Sequence, residues 1–254
     1  MANFITFIIQ KTYKLRIAVD KVVYWGIKSF NHWEILDRYK GRDTLVVGNG
    51  PSINHTKLAD INMVSIGMNK INLLFDRSEW RPDIITCVNG LVIRQNRKFF
   101  NTTDIILVLP ARAWYLGVKK RKNVLFVNIH DSIRFRNKID NGIAFCGSTV
   151  TYTALQIAAY LDPKSVNIVG VDHSFKNYTG KSAVEKYVGA DTDHFDPRYF
   201  ENSLWGLPDL EGSELAYKHA KNYFDTNSIP IIDYTINGKC PIFNRGDIEN
   251  IYNK

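Results

Sequence analysis

Residues 44–52 read TLVVGNGPS, a short apolar run that leads directly into a turn with two glycines. The apolar run is typical of a buried β-strand. Gly48 and Gly50 allow the backbone to turn sharply and to approach a ligand closely. Where a helix begins after such a turn, its free amides face an anion, which makes the segment a candidate phosphate site. It lacks the third glycine of the dinucleotide fingerprint and the Gly-Lys-Ser/Thr of a P-loop, and a plain tight turn is the alternative.

The rest of the chain extends this strand–turn pattern. Further short apolar runs follow, and helix-length patterns lie between several of them, as at residues 149–161 and 210–224. The predicted strands are residues 44–47, 63–66, 84–88, 105–109, 124–127, 166–171 and 229–232. Strands that alternate with helices predict an α/β, Rossmann-like, mostly parallel sheet with helices on both faces, here within residues 41–254. The weakly periodic residues 176–207 are expected to form a lid inserted in this domain.

Residues 1–40 have a different character. Basic and aromatic residues alternate there with apolar residues. The apolar residues recur at roughly helical spacing, and they are Leu15, Val19, Val22, Val23 and Ile27. The apolar run at residues 4–9 is far too short to span a bilayer, which needs ~20 apolar residues. No secretory signal is expected, because no basic region precedes the apolar stretch and no small-residue cleavage site follows it. We expect an amphipathic helix that lies on a membrane surface or packs on its own domain or on a second subunit.

Composition narrows the function classes. The chain has 254 residues, 45% hydrophobic and 23% charged, which excludes a disordered or collagen-like protein. Its 33 basic against 25 acidic residues give a net charge of +8, which suits phosphate-bearing ligands or an anionic membrane. Nucleic-acid binding is not expected, since no zinc spacing, recognition helix or aromatic-interleaved basic stripe is present. Three scattered cysteines are typical of core residues in a reducing cytosol rather than of disulfides or a metal site.

Two asparagines follow predicted strands directly, Asn69 in SIGMNKI and Asn89 in TCVNG. Each amide side chain offers both a donor and an acceptor, which suits a nucleobase edge or ribose hydroxyls. Isolated asparagines in this position are otherwise turn residues. Their placement at two successive strand ends, beside the glycine turn, favours a ligand site.

A second candidate anion site lies at residues 147–149. Gly147, Ser148 and Thr149 open a long predicted helix, where small side chains leave the amides free. The strand after this helix leads to Asp172 and His173. Asp172 is therefore expected at the same ligand-binding edge of the sheet, and a cap for the next loop is the alternative.

His194 lies in the predicted lid among three aspartates, Asp191, Asp193 and Asp196. A histidine beside carboxylates acts as a general base, with its tautomer set by its partner. The carboxylates could instead collect a divalent ion around a nucleotide phosphate, or the segment could be a polar surface loop. The sequence leaves these three interpretations open.

At these residues the sequence resembles the MptE-like family, a bacterial glycosyltransferase-like family named after the archaeal 6-hydroxymethylpterin pyrophosphokinase. The resemblance is closest over residues 142–243, in GSTVTYTALQIAAYL, VNIVGVDHSF, DHFDPRYF, LEGSELAYKHAK and NGKCPIF. It is weaker over residues 45–89, and residues before about 40 lie outside it. More distantly, the chain is similar to the bacterial CMP-sialic-acid-dependent sialyltransferases of lipooligosaccharide, with which it shares the GNGPS turn and the polar residues after the next strands.

The resemblance implies a Rossmann-like transferase with a lid. The sialyltransferases hold cytidine monophosphate through residues that correspond to Gly48, Asn49, Gly50, Asn69, Asn89 and Ser148. Adjoining positions complete the expected donor site, namely Pro51, Ser52, Gly147, Thr149, Asp172 and His173. Their catalytic base is a lid histidine, which His194 matches, although HFDP stands here where the sialyltransferases have two histidines separated by three residues.

The sequence therefore favours a cytoplasmic glycosyltransferase at the inner face of the membrane, in surface polysaccharide or lipopolysaccharide biosynthesis. The expected donor is a CMP-activated nonulosonate or related acidic sugar, its phosphate at the glycine turn and the Ser148 helix end. The expected acceptor is a glycan, which is free or lipid-linked, and no cofactor is expected. One alternative is a pyrophosphokinase that transfers diphosphate from ATP to a pterin-like alcohol with Mg²⁺. The other is a non-catalytic nucleotide-binding assembly protein, and a homo-oligomer is compatible with each.

Overall fold

The computed structural model describes residues 2–175 and 184–252, with side chains from residue 15 onward. The strands are β1 (Thr44–Val47), β2 (Val64–Met68), β3 (Ile84–Thr86), β4 (Ile106–Pro110), β5 (Val124–His130), β6 (Ile143–Phe145), β7 (Val166–Val169), β8 (Val184–Lys186), β9 (Leu204–Gly206), β10 (Ile231–Asp233) and β11 (Asn244–Arg245). The α-helices are α1 (Ala2–Ile27), α2 (Gly90–Gln95), α3 (Arg97–Thr102), α4 (Arg112–Tyr115), α5 (Val150–Tyr160), α6 (Leu210–Thr226) and α7 (Glu249–Tyr252). The 3-10 helices are Lys28–Phe30, Trp33–Tyr39, Pro51–His55, Leu58–Asp60, Ile71–Asp76 and Ile139–Asn141.

Nine of these strands form one sheet, in the order β11-β10-β7-β1-β2-β3-β4-β5-β6. Every neighbouring pair in this sheet is parallel. The predicted α/β, Rossmann-like fold is therefore confirmed, and each predicted strand is present within a few residues. Sequence reasoning missed β6 and β11, which have only three and two residues and lack a long apolar run.

The sheet is covered on both faces, as its strand residues require. In β1, Val46 points into one core cluster, whereas Leu45 and Val47 point into the other, because successive side chains of a strand alternate between faces. The first cluster is closed by α5 and α6. The second is closed by α2, α3 and aromatic residues of the predicted lid, so these lid residues belong to the core.

The predicted lid has more structure than the sequence indicates. Strands β8 and β9 form an antiparallel ribbon, with Val184 opposite Gly206. Between them, Tyr187, Phe195 and Tyr199 are buried against the second core cluster. Residues 176–183 of the predicted lid lie outside the described residues.

Helix α1 packs on the sheet domain through one face. Asp20 is 2% exposed and accepts hydrogen bonds from Arg112 and Tyr115 of α4, and Ile27 is buried in the second core cluster. The opposite face leaves Val22 and Trp25 exposed. In the described part of the chain, no helix is long and apolar enough to cross a membrane.

The two glycines of residues 44–52 are required by the approach of β1 to β7. The amides of Gly48 and Gly50 donate to the carbonyls of Val169 and Gly170 at 2.8 and 2.9 Å. A Cβ on Gly48 would overlap the Gly170 carbonyl, and a Cβ on Gly50 would overlap the carboxylate of Asp172. The turn therefore needs glycine for its packing within the protein, whether or not a ligand approaches it.

We predict that Gly50→Ala lowers the free energy of unfolding by ~1–3 kcal/mol, as overpacking in a filled interior does. The φ angle of Gly50 is −71°, so the cost is steric rather than conformational. Urea unfolding followed by circular dichroism measures it. Gly26→Ala in α1 is the matched control, because a Cβ there meets no atom within 4 Å and stability should stay equal or rise. Equal stability of Gly50→Ala and wild type would contradict the packing argument.

Candidate functional site

A cleft of about 820 Å³ opens at the carboxyl ends of the central strands. It lies where the strand order reverses, since β1 has β7 on one side and β2 on the other. Open parallel sheets bind their ligands at this position. The starts of α5 and α6, part of the lid and one residue of α1 complete its walls. The volume falls in the range of small-molecule and cofactor sites.

Most of the predicted site residues line this cleft. They are Gly48, Asn49, Gly50, Asn69, Asn89, Ser148, Thr149, Asp172, His173 and His194. Pro51, Ser52 and Gly147 do not line it, and their part in ligand binding stays a prediction. Gly147 packs beneath Tyr152 and Ala216, where a Cβ would overlap both side chains. Its φ of +47° serves the turn into α5.

The anion site predicted after the glycine turn is already filled by a carboxylate of the protein. Asp172 accepts from the Ser52 amide at 3.1 Å and from its hydroxyl at 2.7 Å, which caps the short 3-10 helix Pro51–His55. Burial raises the pKa of Asp172 above its ordinary value. In this structure the Ser52 amide therefore donates to Asp172, which acts as a cap, and ligand binding by the turn stays a prediction.

The second predicted anion site, at the start of α5, also has a carboxylate beside it. Thr149 is the N-cap of α5, and its hydroxyl accepts from the Thr151 amide. The hydroxyl of Ser148 donates to Asp209 at 3.0 Å, and Asp209 in turn caps α6 by accepting from the Gly212 amide. Both predicted phosphate positions thus adjoin an acidic side chain.

Two of the asparagines that line the cleft have buried acceptor atoms. In the described part of the molecule, the Oδ1 atoms of Asn49 and Asn69 are buried without a hydrogen-bond partner. The Nδ2 of Asn49 donates to the carbonyl of Met68 at 3.2 Å, which fixes that side chain. Unpaired buried acceptors are costly, so ligand N–H or O–H groups would stabilise this site. Asn89 differs, because its Oδ1 caps α2 by accepting from the Leu91 amide at 2.9 Å.

His194 is held at the cleft by a buried carboxylate and by aromatic rings. Its Nδ1 lies 2.9 Å from Oδ2 of Asp191, whose side chain is completely buried. The imidazole stacks on Tyr199, with ring centroids 4.0 Å apart and planes 5° apart. Phe200 and Trp205 contact its other sides. Since a carboxylate only accepts, Nδ1 donates to Asp191, and Nε2 presents a lone pair whenever the imidazole is neutral.

Lys70 supports this arrangement from β2, and sequence reasoning missed it. It is 8% exposed, its ammonium donates to the carbonyl of Tyr199, and it lies 5.5 and 5.0 Å from the Tyr199 and Phe200 ring centroids. Burial lowers its pKa to about 8. The available signal was a lysine directly after Asn69 in an otherwise apolar segment, MNKINLLF.

Three arginines that the sequence did not single out also line the cleft. Arg16 comes from α1, Arg94 from α2 and Arg112 from α4. Their convergence depends on how α1 packs against the sheet domain, which no local pattern reveals. They form the basic wall of the cleft.

The lid aspartates make hydrogen bonds within the protein. Asp191 accepts from His194 and from the Asp193 amide, and Asp193 accepts from Tyr187. Asp196 accepts from Arg198, which lowers the pKa of that carboxyl. Across the described residues, no group of three or more His, Cys, Asp or Glu side chains is arranged to hold a metal ion.

A family model described as 6-hydroxymethylpterin diphosphokinase MptE-like matches residues 26–178. The chain belongs to this MptE-like family. The match begins earlier than the sequence resemblance suggested, because it includes residues 26–40. It ends at residue 178, within the first residues of the predicted lid, so His194 lies outside the matched residues. No curated protein matches the chain.

The fold also has a counterpart among solved structures. The chain is similar to the MAf glycosyltransferase from Magnetospirillum magneticum AMB-1, with a TM-score of 0.54 and 13% sequence identity. The similarity covers 83% of this chain but only 34% of that protein, so the chain spans about a third of its relative's length. At this identity the similarity establishes the shared fold.

We predict that Asn69→Gly weakens binding of the donor nucleotide by ~1–3 kcal/mol, because a ligand donor loses its partner. Glycine is used because Asn69 has a φ of +54°, which alanine would strain. A thermal-shift screen of CMP, CDP, UDP, GDP and ATP selects the nucleotide, since ligand at ~100 times its Kd stabilises by ~2.7 kcal/mol. Calorimetric titration then compares the two proteins.

The matched control for this experiment is Asn237→Gly. Asn237 has nearly the same φ, +53°, but is exposed outside the cleft. Its substitution should leave nucleotide binding unchanged. Equal nucleotide affinity of Asn69→Gly and wild type would remove Asn69 from the site.

Proposed function

We propose that this protein is a glycosyltransferase that moves a sugar from a nucleotide-activated donor to a glycan acceptor. The observation that carries the proposal is the His194–Asp191 pair, a carboxylate-oriented histidine at the ligand-binding edge of a Rossmann-like sheet. In the described part of the chain, Nε2 of His194 has no hydrogen-bond partner. This is the arrangement that a general base needs.

In the proposed reaction, His194 removes a proton from the acceptor hydroxyl. Nε2 takes the proton, the acceptor oxygen bonds to the anomeric carbon of the donor sugar, and the bond from that carbon to the phosphate oxygen breaks. The bonding electrons leave with the phosphate. Asp191 fixes the tautomer with Nε2 unprotonated and stabilises the imidazolium that forms, as a buried carboxylate does in other histidine-based sites.

The donor that these contacts support best is a CMP-activated acidic sugar. Cytidine offers an amino group and ribose hydroxyls, which are the donors that Oδ1 of Asn49 and Asn69 lack. The resemblance to CMP-sialic-acid-dependent sialyltransferases favours the same nucleotide. The similar solved structure is described as a glycosyltransferase, which supports the reaction class. Surface polysaccharide or lipopolysaccharide biosynthesis is the proposed setting.

A second candidate is favoured by the description of the matched family, which names 6-hydroxymethylpterin diphosphokinase. That reaction would transfer diphosphate from ATP to a pterin-like alcohol, with Mg²⁺ bound near the phosphates. It predicts metal-dependent release of AMP from ATP when a pterin is present. The glycosyltransferase proposal predicts instead release of CMP from a CMP-sugar, with activity that persists in chelator.

We further propose that the protein works at the cytoplasmic face of the membrane, held there by α1. The outer face of α1 exposes apolar side chains, with Leu15, Val22 and Trp25 between 60% and 72% exposed. Lys21 and Lys28 flank them, and the Lys28 ammonium lies over the Trp25 ring. Apolar and basic residues on one helix face match an anionic lipid surface.

We predict that His194→Ala lowers turnover by ~10²–10⁴-fold while nucleotide affinity stays nearly unchanged, because the base acts on the acceptor proton. Activity is measured as CMP release from a CMP-sugar and, separately, as AMP release from ATP with a pterin. Asp191→Asn should also lower turnover, since the tautomer would no longer be fixed.

The matched control is His219→Ala, which removes an exposed histidine of α6 and should leave turnover at the wild-type level. Melting temperatures establish that each variant is folded. Near-normal turnover of His194→Ala would eliminate the base assignment. Nucleotide binding without release from either donor would favour the non-catalytic assembly protein.

We predict that wild-type protein sediments with vesicles that contain phosphatidylglycerol, and that Val22→Glu and Trp25→Glu abolish this. Point variants are preferred to removal of α1, because Asp20 binds Arg112 at the cleft. Leu215→Glu is the matched control, since Leu215 is exposed on α6 away from α1. Membrane docking would be contradicted if wild-type protein did not sediment with the vesicles. It would also be contradicted if the protein were a dimer that Val22→Glu splits without an effect on lipid binding.

A further inference from the structure

The cleft is electrically asymmetric. Asp172 and Asp209 line one end, after β7 and at the start of α6, and the basic wall of Arg16, Arg94 and Arg112 lines the other. Asp172 follows β7, whereas the Arg112 guanidinium donates to the carbonyl of Val88 just after β3, three strand spacings away in the sheet. At ~4.8 Å per spacing, the two ends are separated by roughly 14 Å. An anionic group of a ligand is therefore drawn to the arginine end.

Arg112 is the fixed element of the basic wall. One guanidinium nitrogen lies 3.1 Å from a carboxylate oxygen of Asp20, and another donates to the carbonyl of Val88 at 2.7 Å. The Arg112 side chain is 13% exposed, and that of Asp20 is 3% exposed. The hydroxyl of Tyr115 donates to the second oxygen of Asp20. These contacts hold the guanidinium in one orientation, so little conformational entropy is lost when a ligand binds.

The other two arginines extend the wall beyond Arg112. Arg94 is exposed at the cleft and, within the described residues, makes no ion pair. Arg16 reaches the cleft from α1, one helical turn before Asp20. Arg112 is paired with Asp20, so Arg94 adds positive charge to the wall, and a wall built of guanidinium groups suits a phosphate group. Guanidinium groups bind phosphate oxygens through strong, charge-assisted hydrogen bonds.

We infer that this basic wall binds the phosphate of the donor nucleotide, with the nucleoside at the asparagine end; the inference rests on the proposed function. Ligand donors pair with Oδ1 of Asn49 and Asn69. The phosphate then points along the sheet edge to the Arg112 guanidinium at Val88, one to two strand spacings or roughly 5–10 Å away. A nucleotide spans such a distance from base to phosphate.

This orientation differs from that predicted from the sequence, which put the phosphate at the glycine turn and at Ser148. There the carboxylates of Asp172 and Asp209 would repel it. At the basic wall the phosphate gains negative charge as the sugar departs, and fixed cations stabilise that charge in the transition state. The wall therefore assists both binding and the chemical step.

The test is calorimetric titration of the full chain with CMP, UMP, GMP and AMP and with each corresponding nucleoside. Wild type should bind its preferred monophosphate at least about tenfold more tightly than the nucleoside, a difference of ~1.4 kcal/mol. Arg16→Gln and Arg94→Gln should each lose most of this preference and keep nucleoside affinity within about twofold. Arg112→Gln is made together with Asp20→Asn, so that no buried carboxylate is left unpaired.

Lys122→Gln is the matched control, because it removes one exposed positive charge outside the cleft. It should leave both affinities unchanged. The inference would be overturned if the arginine variants bound the monophosphate with wild-type affinity. It would also be overturned if their affinities for nucleoside and monophosphate fell equally. Unchanged nucleotide binding with a raised KM for the acceptor would overturn it too, and would assign the wall to an acceptor anion.

The outcomes also separate this inference from the proposed function. Wild type that binds nucleoside and monophosphate equally overturns the basic wall as a phosphate site and leaves the nucleotide site standing. In another outcome, wild type binds no nucleotide but binds inorganic pyrophosphate, and Arg94→Gln abolishes that binding. This result would overturn the proposal of a nucleotide donor and would retain the basic wall as an anion site. Binding of none of these probes overturns both.

Discussion

The contact between the ends of β1 and β7 determines the geometry of the cleft. Gly48 and Gly50 let the two backbones meet, and the Asp172 carboxylate then ties the β7 end to the amide and hydroxyl of Ser52. The strands are parallel and both buried, so their carboxyl ends must meet at one edge. A side chain at either glycine would push the ends apart and displace the residues that follow them.

The lid depends on the same turn. The carbonyl of Asn49 accepts from the Phe195 amide at 3.0 Å, and the Phe195 carbonyl accepts from Asn54 and Arg77. His194 directly precedes Phe195, so its position relative to the cleft is set by the backbone of the glycine turn. The Lys70 ammonium adds a second attachment through the Tyr199 carbonyl. The proposed base is thus part of a packed segment, held from two strand ends of the sheet.

The sequence predicted features that depend on local pattern. Apolar runs located the strands, helical periodicity located α5 and α6, and polar residues after strands located Asn49, Asn69 and Asp172 at one edge. What the sequence did not reveal depends on tertiary partners: nothing in GNGPS indicates that Asp172 accepts a hydrogen bond from the amide of Ser52. Nor does any local pattern show that Arg16 reaches the cleft from a helix that precedes the sheet domain. Local sequence thus identified the edge of the sheet and its polar residues, and long-range packing decided which of them remain open to a ligand.

Helix α1 joins two parts of the proposed function. Its inner face places Asp20 against Arg112, and so orients the basic wall, whereas its outer face exposes the apolar residues proposed to contact lipid. Residues on opposite faces of one helix separate these roles, because Val22 and Trp25 point away from the cleft that Arg16 lines. A protein docked through the outer face would hold the basic end of its cleft beside the lipid surface. An acceptor anchored in that surface would then enter from the same side as α1, next to the phosphate that leaves the donor.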